Sequence, residues 1–271
     1  MCELLGMSAN VPTDICFSFT GLMQRGGNTG PHRDGWGITF YEGKGFRTFK
    51  DPKPSSQSKI AELVQNYPIK SCAVISHIRQ ANRGGVKLEN THPFTRELWG
   101  HYWTFAHNGQ LSDYQHLDTG RHRAVGQTDS ELAFCWLLNQ MEQRFPEPPQ
   151  SMEEVFRYLA TCCGPLRDLG VFNMLLSNGE YLMTFCTNHL YWITRRAPFG
   201  KASLIDEEVT INFQEETTPN DVVSVIATQP LTDDEQWQRM KPGEFGLFHF
   251  GELVDSNSAD LVDVEFAAAK P

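Results

Sequence analysis

Apolar and polar positions in this chain follow two periods, and the periods are unevenly distributed. Alternating or continuously apolar runs of strand length fall at 2–8, 38–41, 46–49, 71–76, 101–106, 171–176, 181–186, 190–195, 222–227 and 245–250. They are rich in β-branched and aromatic residues, and turn-forming residues bound them, so each predicts a strand. Helical spacing marks 55–66, 132–141 and 151–162. A further helix is expected to start at Val11-Pro12-Thr13-Asp14, with Thr13 as N-cap, and to end at Gly26-Gly27. Helices thus fill the middle and strands both ends. This predicts an α+β sandwich of two mostly antiparallel sheets covered by helices, rather than a doubly wound parallel sheet. No Pro/Gly/Ser linker divides the 271 residues, so a single domain over 1–271 is expected.

The segments between these elements carry the candidate chemistry. Glu42-Gly43-Lys44-Gly45 and Asn178-Gly179 read as hairpin turns. The stretch Gly30-Pro31-His32-Arg33-Asp34-Gly35-Trp36-Gly37 is either a loop that approaches a ligand closely or simply a tight lead into a strand. Strand 71–76 delivers His77-Ile78-Arg79-Gln80-Ala81-Asn82-Arg83 at its C-terminal end, where a charged side chain is well placed for function, and a loop is expected over 83–93. Strand 101–106 is expected to stop at His107-Asn108-Gly109. Asn-Gly commonly makes a hairpin turn, but Gln110-Leu111-Ser112-Asp113 does not read as a returning strand. Thr128-Asp129-Ser130-Glu131 has the form of a capping box, which explains Thr128 and Glu131 but leaves Asp129 only a favourable charge near a helix N-terminus. Cys162-Cys163 beside Gly164-Pro165 reads as a helix end rather than a redox pair.

Composition removes several function classes. With 23 basic and 33 acidic residues the formal charge is −10, which argues against binding phosphate backbones, so nucleic acid is not an expected partner. No apolar run approaches the roughly 18 residues of a membrane span, and Glu3 stands where a signal peptide would be basic. Seven cysteines without a CxxC pair suggest reduced thiols in a cytoplasm, and the histidine spacings match no metal motif, so neither metal nor cofactor is expected. Cys2 changes this picture. Removal of Met1 would give one residue both a thiol and a free α-amine whose pKa lies near ~8, a nucleophile with its own base.

Taken together, Cys2, the Arg33-Asp34-Gly35-Trp36-Gly37 loop, His77-x-Arg79-x-Ala81, His107-Asn108-Gly109 and Thr128-Asp129-Ser130-Glu131 resemble, in order and rough spacing, the class II glutamine amidotransferases. These are N-terminal nucleophile hydrolases, and the resemblance implies their four-layer αββα sandwich. It implies that the Cys2 thiolate attacks the γ-amide of glutamine, that the Asn108 side chain and the Gly109 N–H hold the oxyanion, that Arg79 grips the α-carboxylate and that Asp129 takes the α-ammonium. Asn82 stands where many members have threonine and is a further expected pocket contact. His77 and His107 are expected to be structural supports. The sequence ends in an acidic and then Ala-rich tail in place of a synthase domain, so a stand-alone glutaminase-type domain is expected. Its partners are then glutamine or another γ-glutamyl small molecule, and an ammonia-accepting synthase would be a separate subunit. Two alternatives remain open: a γ-glutamyl amidohydrolase, and a non-catalytic glutamine-binding subunit.

Overall fold

The computed structural model describes residues 2–82, 84–212 and 218–258. Met1, Arg83 and the tail beyond 258, to which some of the expectations above refer, lie outside the described residues. The first strands are β1 (Glu3–Asp14), β2 (Trp36–Glu42), β3 (Gly45–Asp51), β4 (Lys70–Ile78), β5 (Phe94–Leu98) and β6 (His101–Leu111). After them come β7 (Gly170–Ser177), β8 (Tyr181–Phe185), β9 (Tyr191–Arg196), β10 (Lys201–Ser203) and β11 (Thr210–Asn212). The last are β12 (Val222–Ala227), β13 (Gln238–Arg239), β14 (Glu244–His249) and β15 (Glu252–Ser258). The helices are α1 (Cys16–Arg25), α2 (Lys59–Asn66), α3 (Asp129–Arg144) and α4 (Met152–Asp168).

Two antiparallel sheets result, ordered β13-β9-β12-β1-β4-β2-β3 and β15-β14-β8-β7-β6-β5, with β10 and β11 forming a separate pair. Strand β1 shows why they stack. Its alternation sends Leu5, Met7 and Ala9 towards Phe19 and Leu22 of α1 and towards Ala61 and Val64 of α2. It sends Leu4 the other way, into a layer with Ile75 and Ile226 that packs on Ala106, Leu175, Leu182 and Phe248 of the second sheet. The outer face of that second sheet packs Phe105, Phe172 and Phe185 against Phe134, Leu138, Phe156 and Leu159 of α3 and α4. The layers are therefore α, β, β, α. Each Leu fully buried between the sheets contributes roughly 1.5–3 kcal/mol relative to exposure.

Four local expectations need correction. Strand β1 runs on to Asp14: it leaves its pairing with β4 after Ser8 and resumes it at Thr13↔Ser71. Pro12 is tolerated in that irregular stretch because no ladder N–H is needed there. Helix α1 accordingly starts at Cys16 behind Ile15, and Thr13 donates its hydroxyl to the Val11 carbonyl instead of capping. Strand β6 does not stop at Ala106 but continues through Asn108 and Gly109 to Leu111, paired with β7. Helix α4 passes through Cys162-Cys163-Gly164-Pro165 to Asp168, because Val155, Leu159, Cys163 and Leu166 form one continuous buried face that outweighs the proline. The capping box is half formed. Thr128 Oγ accepts the Glu131 N–H, whereas the Glu131 carboxylate turns to the N–H groups of Val125 and Gly126 and to Arg96.

Candidate active site

The register of β1 against β4 places the start of the chain. Glu3 pairs with Ile78 and Leu4 with His77, so Cys2 lies beside Arg79 and Gln80. The Cys2 sulfur accepts the Gln80 N–H at 3.3 Å and lies 3.5 Å from the Gln80 carbonyl oxygen. The loop before β2 holds this segment on its other side. Asp34 Oδ2 accepts the Ala81 N–H at 2.7 Å, the Asp34 N–H donates to the Arg79 carbonyl, and the Arg79 N–H donates to the Gly35 carbonyl. Of the three glycines Gly30, Gly35 and Gly37, only Gly35 has positive φ, at 113°. At Gly37 the constraint is close approach, since a Cβ there would lie 2.2 Å from the His92 carbonyl oxygen.

The second sheet supplies the opposite wall. Asn108 is fully buried, and its amide NH₂ reaches the Thr228 hydroxyl at 3.5 Å. The same hydroxyl accepts the Leu4 N–H at 2.8 Å, so Thr228 bridges the two sheets next to Cys2. Asn108 Oδ1 is buried without a partner among the described residues. Gly109 pairs with Phe172, whose N–H and carbonyl both turn to the Thr187 hydroxyl on the far side. The Gly109 N–H therefore points away from β7, towards the side of β6 left uncovered beyond its Phe94–Phe105 pairing with β5. At the start of α3 the Asp129 carboxylate accepts the Leu111 N–H at 2.7 Å and the Ser130 N–H at 2.9 Å.

Histidines brace this wall. His107 Nε2 lies 3.0 Å from the Val171 carbonyl, which can only accept, so that nitrogen carries the proton and Nδ1 accepts from the Ser130 hydroxyl at 2.9 Å. Burial keeps the His107 ring neutral by lowering its pKa, and lowers those of His77 and His92 much further. The His77 and His92 rings lie against each other at 4.1 Å.

Cys2, Arg79, Asn82, Gly109 and Asp129 line one pocket with Gln80, Gln110 and Ser130, whereas Asn108 is not among its lining residues. The pocket is small and partly open to solvent, with about 30 Å³ of space accessible to water. At the mouth the Asn82 amide donates to Gln110 Oε1 at 3.3 Å. Burial pushes the Cys2 thiol up to about 11, against the opposing pull of the Gln80 N–H and Arg79. Burial likewise raises Cys16 to about 12 and Cys135 and Cys186 to about 11. Cys2 is thus distinguished by its neighbours and not by an acidic thiol. Sequence reasoning assigned no role to Asp34, although its glycine-flanked loop was visible, or to Thr228, whose partner Leu4 is 224 positions away.

A family model described as "Glutamine amidotransferases class-II" matches residues 1–271. YafJ of Escherichia coli (strain K12), whose name places it provisionally among glutamine amidotransferases, is 69% identical over 94% of this chain and 100% of its own length. The crystal structure of a predicted glutamine amidotransferase from Pseudomonas aeruginosa PA01 is 56% identical, with a TM-score of 0.76 over 94% of this chain and 100% of that one. The glutamine phosphoribosylpyrophosphate amidotransferase of B. subtilis shares the fold, with a TM-score of 0.62 at 14% identity over 95% of this chain and 49% of that one.

The continuation of β6 makes Gly109 a sharp test of the geometry. A Cβ there would lie 1.7 Å from the Val171 carbonyl oxygen and 2.6 Å from His107 Nε2. Gly109→Ala should therefore lower stability by about 1–3 kcal/mol or more, read as a reduced urea midpoint. An unchanged midpoint would mean that β6 and β7 do not pair there.

Proposed function

Because this chain belongs to the class-II glutamine amidotransferases, a family of enzymes, we propose that it hydrolyses the γ-amide of glutamine through Cys2. The observation that carries the proposal is the convergence of Cys2 with Arg79 and Asp129 on one pocket. Removal of Met1 frees the Cys2 α-amine, which takes the thiol proton as sulfur bonds to the amide carbon. The amine then returns that proton to the departing nitrogen, so ammonia leaves and a thioester remains. Water, deprotonated by the same amine, attacks the thioester carbon and releases glutamate and the thiol. A base is required because burial holds the thiol proton up to about 11.

Recognition and stabilisation fall to different groups. The planar Arg79 guanidinium binds the substrate α-carboxylate and Asp129 binds its α-ammonium, so together they select an amino acid with a free backbone. The Gly109 N–H, turned from its neighbouring strand, and the Asn108 amide receive the developing oxyanion. Exchanging the two ends of that amide places its NH₂ where Oδ1 now lies without a partner, and lets Oδ1 accept the Thr228 hydroxyl proton. The ammonia acceptor is either water or a separate synthase. None of the seven cysteines is joined in a disulfide among the described residues, which favours a reducing compartment such as the cytoplasm.

Glutamate release from glutamine separates these roles. Arg79→Ala and Asp129→Ala should raise KM by roughly 10- to 100-fold, since charge-assisted contacts form in the ground state. Asn108→Ala should instead lower kcat by about 10²-fold with little change in KM. Loss of affinity alone in all three variants would remove the oxyanion assignment. The pH profile tests the base. Below its pKa near ~8 the α-amine is protonated and cannot accept, so kcat/KM should rise to about pH 8 and then level. A rise that continues towards pH 11 would show that the thiolate fraction alone controls the rate.

A further inference from the structure

The loop between β4 and β5 contains a buried amide that the chemistry above does not use. Asn90 is 0% exposed, although exposed residues precede it in its own loop. Its amide NH₂ donates to the Gly85 carbonyl at 3.0 Å, and its Oδ1 accepts the Gln127 N–H at 2.8 Å. Both contacts lead to the candidate site. The Gly85 carbonyl also accepts from the Arg79 guanidinium at 3.1 Å, whose other arm donates to Gly84 at 3.2 Å. Gln127 precedes Thr128, the N-cap of α3, and Asp129 is the first residue of that helix. One side-chain amide thus spans from the carbonyl that holds Arg79 to the backbone that presents Asp129.

The fit around this amide is close. A Cβ on Gly126 would lie 2.4 Å from Asn90 Oδ1, and a Cβ on Gly84 would lie 3.3 Å from its Nδ2. An amide is suited to this position because it donates at one end and accepts at the other, whereas a carboxylate only accepts and a hydroxyl is too short to bridge the loops. The Glu131 carboxylate holds the adjacent N–H groups of Val125 and Gly126, so the approach to Asp129 is fixed on its other side too.

We propose that Asn90 is a positioning residue that sets the Arg79 guanidinium at a fixed reach from the Asp129 carboxylate, and so makes the site selective for an α-amino acid head group. This rests on the reading of Arg79 and Asp129 as the groups that bind carboxylate and ammonium. Asn90 itself touches no reacting atom. Its removal should alter which substrates are bound and leave the reactivity of the bound amide alone.

The test compares mature wild-type protein with Asn90→Ala, Asn90→Asp and Arg79→Ala, using glutamine and glutaramate, the analogue without an α-amine. In both Asn90 variants KM for glutamine should rise roughly 10-fold or more while kcat falls less than about threefold. The preference for glutamine over glutaramate should shrink by a similar factor. Alkylation of Cys2 by iodoacetamide without substrate should stay within about twofold of wild type, as the thiol keeps its own neighbours. Asn90→Asp retains the acceptor for Gln127 and loses the donor to Gly85, so it carries the test if Asn90→Ala does not fold. Failure of both variants to fold, or a fall in kcat and in Cys2 alkylation with KM and preference unchanged, overturns the proposal in favour of a purely structural role. If Arg79→Ala raises KM and the Asn90 variants do not, the positioning role alone is lost. If Arg79→Ala leaves KM unchanged, the head-group reading fails and this inference fails with it.

Discussion

The site depends on one constraint: Cys2 lies ahead of the first strand and must be held in place by the strand that follows it. The structure meets this constraint by making residue 3 the first member of a central strand. Glu3↔Ile78 and Leu4↔His77 pair β1 to β4, and the Thr228 N–H donates to the Leu4 carbonyl while the Thr228 hydroxyl accepts the Leu4 N–H. Because β1 is flanked on both sides, Cys2 emerges from the middle of a sheet, where fraying is least.

Alternation along the strand divides the remaining work between its two faces. Cys2 and Leu4 face the second sheet, while Glu3 faces α1 and lies 3.4 Å from Arg25. Arg25 is itself held by Asp206 and by the carbonyls of Gln229 and Pro230. Burial raises the Glu3 carboxyl pKa, against the pull of Arg25 and His32. Leaving such a buried charge without its partner is far more costly than the pair itself is stabilising, so this contact specifies where the outer face sits more than it adds stability. Asn108 Oδ1 is buried with no partner among the described residues, as are the ring nitrogens of His77 and His92.

Periodicity made the layers legible. Long runs such as 71–76, 171–176 and 222–227 appear as strands with their ends nearly in place, because each buries at least one face. Three local signals misled for the same physical reason, in that tertiary partners outweighed local preference. Asn-Gly at 108–109 lies within a strand since Asn173 and Phe172 pair with it, Pro165 lies within a helix since its neighbours are buried, and Thr13 remains extended since Ser71 pairs with it. At the candidate site, residues with distinctive chemistry were legible, and five of them share a pocket. Thr228 and Asn90 were not, because a hydroxyl or amide in a loop or strand acquires its meaning only from partners far away in sequence.

The central claim is that Cys2, aligned by its neighbours and activated by its own amine, is the nucleophile. The measurement that tests it most directly is peptide mapping after mature protein is treated with a glutamine analogue bearing a γ-diazo ketone. Only a thiol in near-attack geometry on a head group held by Arg79 and Asp129 reaches that carbon efficiently. The account predicts one label per chain, on Cys2, suppressed by excess glutamine. Stoichiometric, glutamine-protected label on Cys16, Cys72 or Cys135 would contradict it and move the active site elsewhere.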